Sequence, residues 1–145
     1  MSVSEQKAHF ETAGEIEALV HSFESCELDP DAFKHAGHVI VALWYLHSTP
    51  EEEALERMRA GLLKLLDRHG LRDAYNETIT HFWLRAVSDF LRRAGRERAL
   101  TELAAELLKV YGDSRLVFSY YSRERATSDV ARRVWVEPDL RALDF

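Results

Sequence analysis

The feature that most constrains this fold is the marking of the chain by residues that begin and end helices. Asp29-Pro30 and Thr49-Pro50 each place a proline directly after an N-cap residue, where its missing N–H costs nothing. Gly70, Gly95 and Gly112 each follow an apolar stretch of helical period, where a helix would end. No stretch alternates in the manner of a strand, so the sequence predicts an all-α chain.

The apolar periodicity predicts one compact domain, residues 1–145, with residues 1–11 as a flexible N-terminus. This domain is expected to contain five main helices and one or two short C-terminal helices. The main helices are expected at about residues 12–25, 29–48, 49–70, 76–93 and 97–111. Residues 115–122 fit either a short helix or an extended segment, and a short helix is expected from residue 127 or 128 to 135.

Composition places the chain among soluble globular proteins. It carries 19 basic and 25 acidic residues, and this net charge of −6 disfavours general nucleic-acid binding. The single cysteine, Cys26, cannot form an intramolecular disulfide and suits a reducing cytosol. No signal-peptide core is present, and no run reaches the roughly 18 apolar residues that a membrane span needs. We therefore expect a cytoplasmic protein that contacts neither membrane nor nucleic acid.

Two pairs of candidate metal ligands are the feature that points to chemistry. His35 and His38 are three residues apart in the second predicted helix, and Glu77 and His81 are four apart at the start of the fourth. Both spacings place the two side chains of a pair on one helix face. Three imidazoles and a carboxylate can hold zinc, iron, manganese or nickel. The sequence therefore predicts a divalent metal centre between two helices.

Such a centre predicts a small metal-dependent enzyme acting on a small molecule: a hydrolase, a lyase or an iron-dependent oxidase. If only three donors ligate the metal, a bound water becomes the nucleophile and Glu77 its general base. Tyr75, at the mouth of the site, is the second candidate catalytic residue. The candidate substrate-binding residues are Tyr45, Asn76, Arg123 and Arg132.

Each of these residues also has an ordinary structural interpretation. His81 could donate to a backbone carbonyl, Glu77 could stabilise the helix dipole, and Asn76 could serve as the N-cap. The clustered C-terminal arginines more often pair with nearby carboxylates. The alternative to an enzyme is therefore a non-catalytic helical binding or interaction module, which could be a homodimer, with a buried His/Glu hydrogen-bond network. A small-ligand sensor is a third interpretation.

Several segments resemble a family of small bacterial all-helical proteins. The family pattern is F-x-H-x-x-H followed by Y-H-E-T-I-T, and here it matches Phe33 to His38 and Tyr75 to Thr80. Trp44-Tyr45-Leu46 and residues 128–132 and 138–140 extend the resemblance to most of the chain. Asn76 stands where the pattern has histidine. If that histidine is a metal ligand in the family, His81 would have to replace it here. The resemblance implies a site at these motifs and no particular activity.

Overall fold

The computed structural model describes residues 10–145, and every regular element in this part of the chain is a helix. The five main helices are α1 (Ala13–Glu24), α2 (His35–Ser48), α3 (Glu51–Arg68), α4 (Glu77–Ala94) and α5 (Leu100–Tyr111). Two short helices follow, α6 (Arg123–Ala126) and α7 (Asp129–Arg133), and 3-10 turns span Arg72–Ala74 and Ser114–Ser119. The predicted all-α fold is confirmed.

The predicted flexible N-terminus, residues 1–11, lies outside the described residues except for its last two. Of these, Phe10 is buried and belongs to the hydrophobic core. Within residues 10–145, no helix is both long enough and apolar enough to cross a membrane.

Helix α2 occupies the centre of the fold. It packs against α1, α3, α4 and α5, and Val39, Ile40, Val41 and Leu43 are all completely buried. A helix that is apolar on every side needs neighbours on every side, which explains its central position. Helix α4 likewise has several neighbours and packs against α2, α3, α5 and α7. The start of α4 therefore lies where several elements meet.

The helix caps follow the sequence closely in two places. Thr12 and Glu15 form a capping box at the predicted start of α1. Asn76 caps α4, with its side-chain oxygen accepting a hydrogen bond from the Ile79 N–H at 2.9 Å. The Asn76 amide also donates to the Ala126 carbonyl at 2.7 Å. Asn76 thus fixes the start of α4 and connects it to α6.

The predicted start of the second helix at Asp29 is wrong. Asp29 and Pro30 begin only a single turn, closed by the Ala32 and Phe33 N–H groups on the Asp29 carbonyl, and α2 begins at His35. Phe33 is buried and its ring stacks on His38, four positions into α2. This contact between the residue before the cap and the first helical turn is a staple that sets the entry angle of the chain. A tertiary contact therefore overrides the cap-and-proline pattern.

The C-terminal segment is attached to α4 by a buried threonine. Thr78 is fully buried, and its hydroxyl donates to the Val134 carbonyl at 2.9 Å and accepts from the Val136 N–H at 3.2 Å. Tyr121 adds a hydrogen bond to the Val136 carbonyl at 2.6 Å. These contacts bring α7 and Trp135 beside the first turn of α4.

Candidate functional site

A bidentate ion pair stands at the first turn of α4. Arg59 of α3 donates from Nε to Oε1 of Glu77 at 2.9 Å and from Nη2 to Oε2 at 2.5 Å. The Tyr75 hydroxyl donates to the same Oε1 at 2.6 Å. The Glu77 side chain is 12% exposed and that of Arg59 is 36% exposed. Glu77 is therefore oriented by three donor groups from two residues, one in α3 and one just before α4.

This ion pair lies in the wall of an open cleft of about 960 Å³, which we call the arginine cleft. The cleft is formed between α3, the 3-10 turn before α4, and the segment around α7. Its walls contain four guanidinium groups and three carboxylates, together with one tyrosine and one tryptophan. Its charged and aromatic members are Arg59, Arg72, Arg132, Arg133, Asp73, Glu77, Asp129, Tyr75 and Trp135.

The four arginines of the cleft differ in how many hydrogen bonds and ion pairs their side chains make. Arg132 pairs with Asp129 one turn before it and donates from Nη1 to the Asp73 carbonyl at 3.2 Å. Arg72 makes only a long contact, 3.8 Å, with the exposed Asp67. The Arg133 side chain is exposed and has neither a hydrogen bond nor an ion pair with any residue in 10–145. Guanidinium donors therefore remain available to an anion in the cleft.

The contacts at this ion pair move the pKa values of Glu77 and Tyr75 further from neutral pH. Burial alone would raise the pKa of Glu77, but the hydrogen bonds from Arg59 and Tyr75 outweigh it and hold that pKa below its usual value. Burial and the neighbouring Glu77 carboxylate raise the pKa of Tyr75. At neutral pH Glu77 is ionised and Tyr75 is protonated. A general base works best with a pKa near the operating pH, and neither group meets that condition.

His35 and His38 lie together at the start of α2, and each is bonded to a backbone carbonyl. His35 Nε2 lies 2.8 Å from the carbonyl oxygen of Tyr111, the last residue of α5, and His38 Nε2 lies 3.2 Å from that of Phe33. Since a carbonyl only accepts, Nε2 of each ring carries the proton. Burial lowers the pKa of both imidazoles, to about 4 for His38.

His81 lies one turn after Glu77, close enough for the two side chains to influence each other's pKa values. Its ring meets Trp135 edge to face, with centroids 4.8 Å apart. Burial and the nearby Arg85 lower the pKa of His81. The two side chains of each predicted pair therefore lie near each other. Yet across residues 10–145 no three side chains of His, Cys, Asp or Glu converge so that they could hold a metal ion.

The predicted substrate-binding residues occupy different parts of the molecule. Arg132 lies in the arginine cleft with Tyr75 and Glu77. Tyr45 is 2% exposed and donates to Glu24 at 2.7 Å, and it does not line the cleft. Arg123 covers the Phe118 ring, with its guanidinium carbon 4.2 Å from the centroid, also outside the cleft lining.

The sequence reasoning missed several residues of the cleft, among them Arg59, Arg133 and Trp135. Arg59 follows Leu55 by four residues and precedes Leu62 by three, so it falls at the edge of the apolar stripe of α3. A charged residue at such a position indicates a partner on the neighbouring helix. Trp135 gave no local indication, because its place in the cleft depends on the attachment of the C-terminal segment to Thr78.

Compared with protein-family models, curated proteins and solved structures, the chain matches none of them. The resemblance to the F-x-H-x-x-H proteins therefore stays a prediction, and the functional argument depends on the geometry of the cleft.

Proposed function

We propose that this protein binds a small anionic molecule, carrying a carboxylate or phosphate group, in the arginine cleft. The observation that carries the proposal is the presence of four arginines in one concave surface, of which Arg133 has no partner among the described residues. Guanidinium groups bind carboxylate and phosphate oxygens in a fixed, bidentate geometry. Trp135 adds an aromatic wall beside these donors, against which the apolar part of a small ligand can pack.

The Arg59–Glu77 pair supports this role without being the ligand contact itself. Glu77 neutralises the charge of Arg59, so the pair serves as part of the cleft wall, and the Tyr75 hydroxyl donates to Glu77 at 2.6 Å. The half-buried Arg132 and the exposed Arg133, on the short helix α7, are the groups that reach an entering anion.

The proposal belongs with the binding-module and sensor interpretations of the sequence. The metal-dependent enzyme stays a prediction: it needs His35, His38, Glu77 and His81 to converge, and their present partners are carbonyls, Arg59 and Trp135.

Calorimetric titration at constant ionic strength tests the proposal, with sodium acetate and inorganic phosphate as probes. Arg132→Gln combined with Arg133→Gln should weaken binding by about tenfold or more, a loss of roughly 1.4 kcal/mol or more. Arg123→Gln is the matched control, because it removes an arginine of the same C-terminal region that lies outside the cleft. Absence of binding by both probes, or equal affinity in the double variant, would overturn the proposal.

A further inference from the structure

A second, apolar space adjoins the arginine cleft. This apolar cavity, of about 240 Å³, lies between α2, α3 and α4, and its walls are mainly Met58, Leu62, Leu66, Ile79, Trp83 and Leu84. Tyr75 lines both the cavity and the cleft. Neighbouring residues also divide between the two spaces, since Asp73 faces the cleft and Ala74 the cavity. The two spaces are thus separated at Tyr75.

The polar groups in the cavity wall already have protein partners. Asn76 caps α4 and donates to Ala126, and the Thr80 hydroxyl donates to the Asn76 carbonyl at 2.8 Å. His38 donates to the Phe33 carbonyl and is neutral at neutral pH. No charged side chain lines the cavity among the described residues. The cavity therefore suits an apolar group, because a charged group would lose hydration there without gaining a partner.

The volume of the cavity limits the size of that occupant. An engineered apolar cavity of about 150 Å³ in another protein holds benzene. A space of about 240 Å³ therefore accepts a single ring or a short alkyl chain. Each methylene group buried in such a space should raise the affinity severalfold, since its transfer from water is worth about 0.8 kcal/mol.

The dividing residue is held through its hydroxyl group, which contacts the side chains of Glu77, Arg59 and Thr80. The Tyr75 hydroxyl donates to Glu77, and Tyr75 follows the exposed 3-10 turn Arg72–Ala74. Rotation of the Tyr75 ring therefore requires the loss of these hydroxyl contacts and no rearrangement of a main helix. Arg132 and Tyr75 line the same cleft, so an anion bound at Arg132 can direct its apolar end towards this ring.

We propose that the arginine cleft and the apolar cavity are two halves of one ligand site, and that the ligand is a carboxylic acid with a compact apolar tail. The carboxylate is bound by Arg132 and Arg133, and the tail passes Tyr75 into the cavity. This inference depends on the proposed function, because it assigns the ligand class of the same cleft.

Comparison of hexanoate and phenylacetate with acetate tests the inference by calorimetry on the full chain. The two longer acids should bind on the order of tenfold more tightly than acetate, since they alone can bury methylene or ring carbons. Ala42→Leu, which adds bulk to the buried cavity wall, should abolish this advantage and leave acetate affinity unchanged. If Ala42→Leu fails to fold, Ala74→Leu at the exposed rim of the cavity makes the same test.

The outcomes separate the inference from the proposed function. Equal affinity for acetate, hexanoate and phenylacetate would overturn the inference and leave anion binding in place. An advantage for the longer acids that survives a folded Ala42→Leu or Ala74→Leu variant would also overturn it, because the tail would then lie elsewhere. Absence of binding by every anion would overturn both.

Discussion

Phe33 stacks on His38 across the start of α2, with ring centroids 4.2 Å apart and planes 27° from parallel. The same imidazole donates to the Phe33 carbonyl, so one residue pair supplies both an apolar and a polar contact. Together these contacts end the turn that follows Pro30 and begin the central helix. His38 thus has a structural role whether or not a ligand occupies the neighbouring cavity.

Acidification should destabilise the protein through His38. Burial lowers its pKa from 6.5 to about 4, so between these values the unfolded chain binds more protons than the folded one. The stabilisation is complete above pH 6.5 and is lost as pH falls towards 4, by up to about 3 kcal/mol. Urea unfolding at a series of pH values should show this slope, and His38→Phe should reduce it. Phe33→Leu, which keeps the imidazole, should lower stability and retain most of the slope; an unchanged slope in His38→Phe would contradict the assignment.

Removal of the charge on Glu77 should destabilise the start of α4. Glu77→Gln replaces the charge-assisted contacts from Arg59 and Tyr75 with weaker ones, and we expect a loss of about 1–3 kcal/mol in the free energy of unfolding. The matched control is Glu53→Gln, whose exposed pair with Arg57 is worth about 0.5 kcal/mol or less. Urea denaturation measures both, and equal losses would contradict a special role for the Glu77 pair.

Alanine at Gly61 should destabilise α3 although alanine favours helices. A Cβ at Gly61 would lie 2.5 Å from Cζ of the buried Phe23 ring, so the core must shift. Overpacking of this kind costs about 1–3 kcal/mol, more than the propensity gain of about 1 kcal/mol. Gly14→Ala is the control, because a Cβ there meets only the Thr12 hydroxyl at 3.8 Å, and it should stabilise slightly. Thermal unfolding of the two variants should therefore shift in opposite directions.

Elemental analysis separates anion binding from the metal-dependent enzyme predicted from the sequence. After reconstitution with zinc, iron and manganese, we expect well under one metal ion per chain. The protonated ring nitrogens of His35 and His38 donate to backbone carbonyls, and the Glu77 carboxylate is paired with Arg59. Near-stoichiometric metal that disappears in His38→Ala would contradict this expectation and support the metal centre.

Much of the fold was predictable because helices carry local marks. Thr12 and Glu15 are within one turn of each other, and Asn76 caps the helix that directly follows it, so short-range chemistry determines these starts. The start of α2 was not predictable in this way. There the local preference of Asp29-Pro30 for a helix start is outweighed by burial of Phe33, which depends on Phe23 and His38 from two different helices.

The sequence alone determined the helical class and the pairing of His35 with His38 and of Glu77 with His81, since each follows from the helical period. Only the tertiary structure decided what faces each pair. Arg59 meets Glu77 across an interface between two helices, and Trp135 reaches the cleft because a hydrogen bond to Thr78 folds the C-terminal segment back. Such contacts depend on how helices pack, and a repeating pattern along one helix does not specify which neighbour it meets.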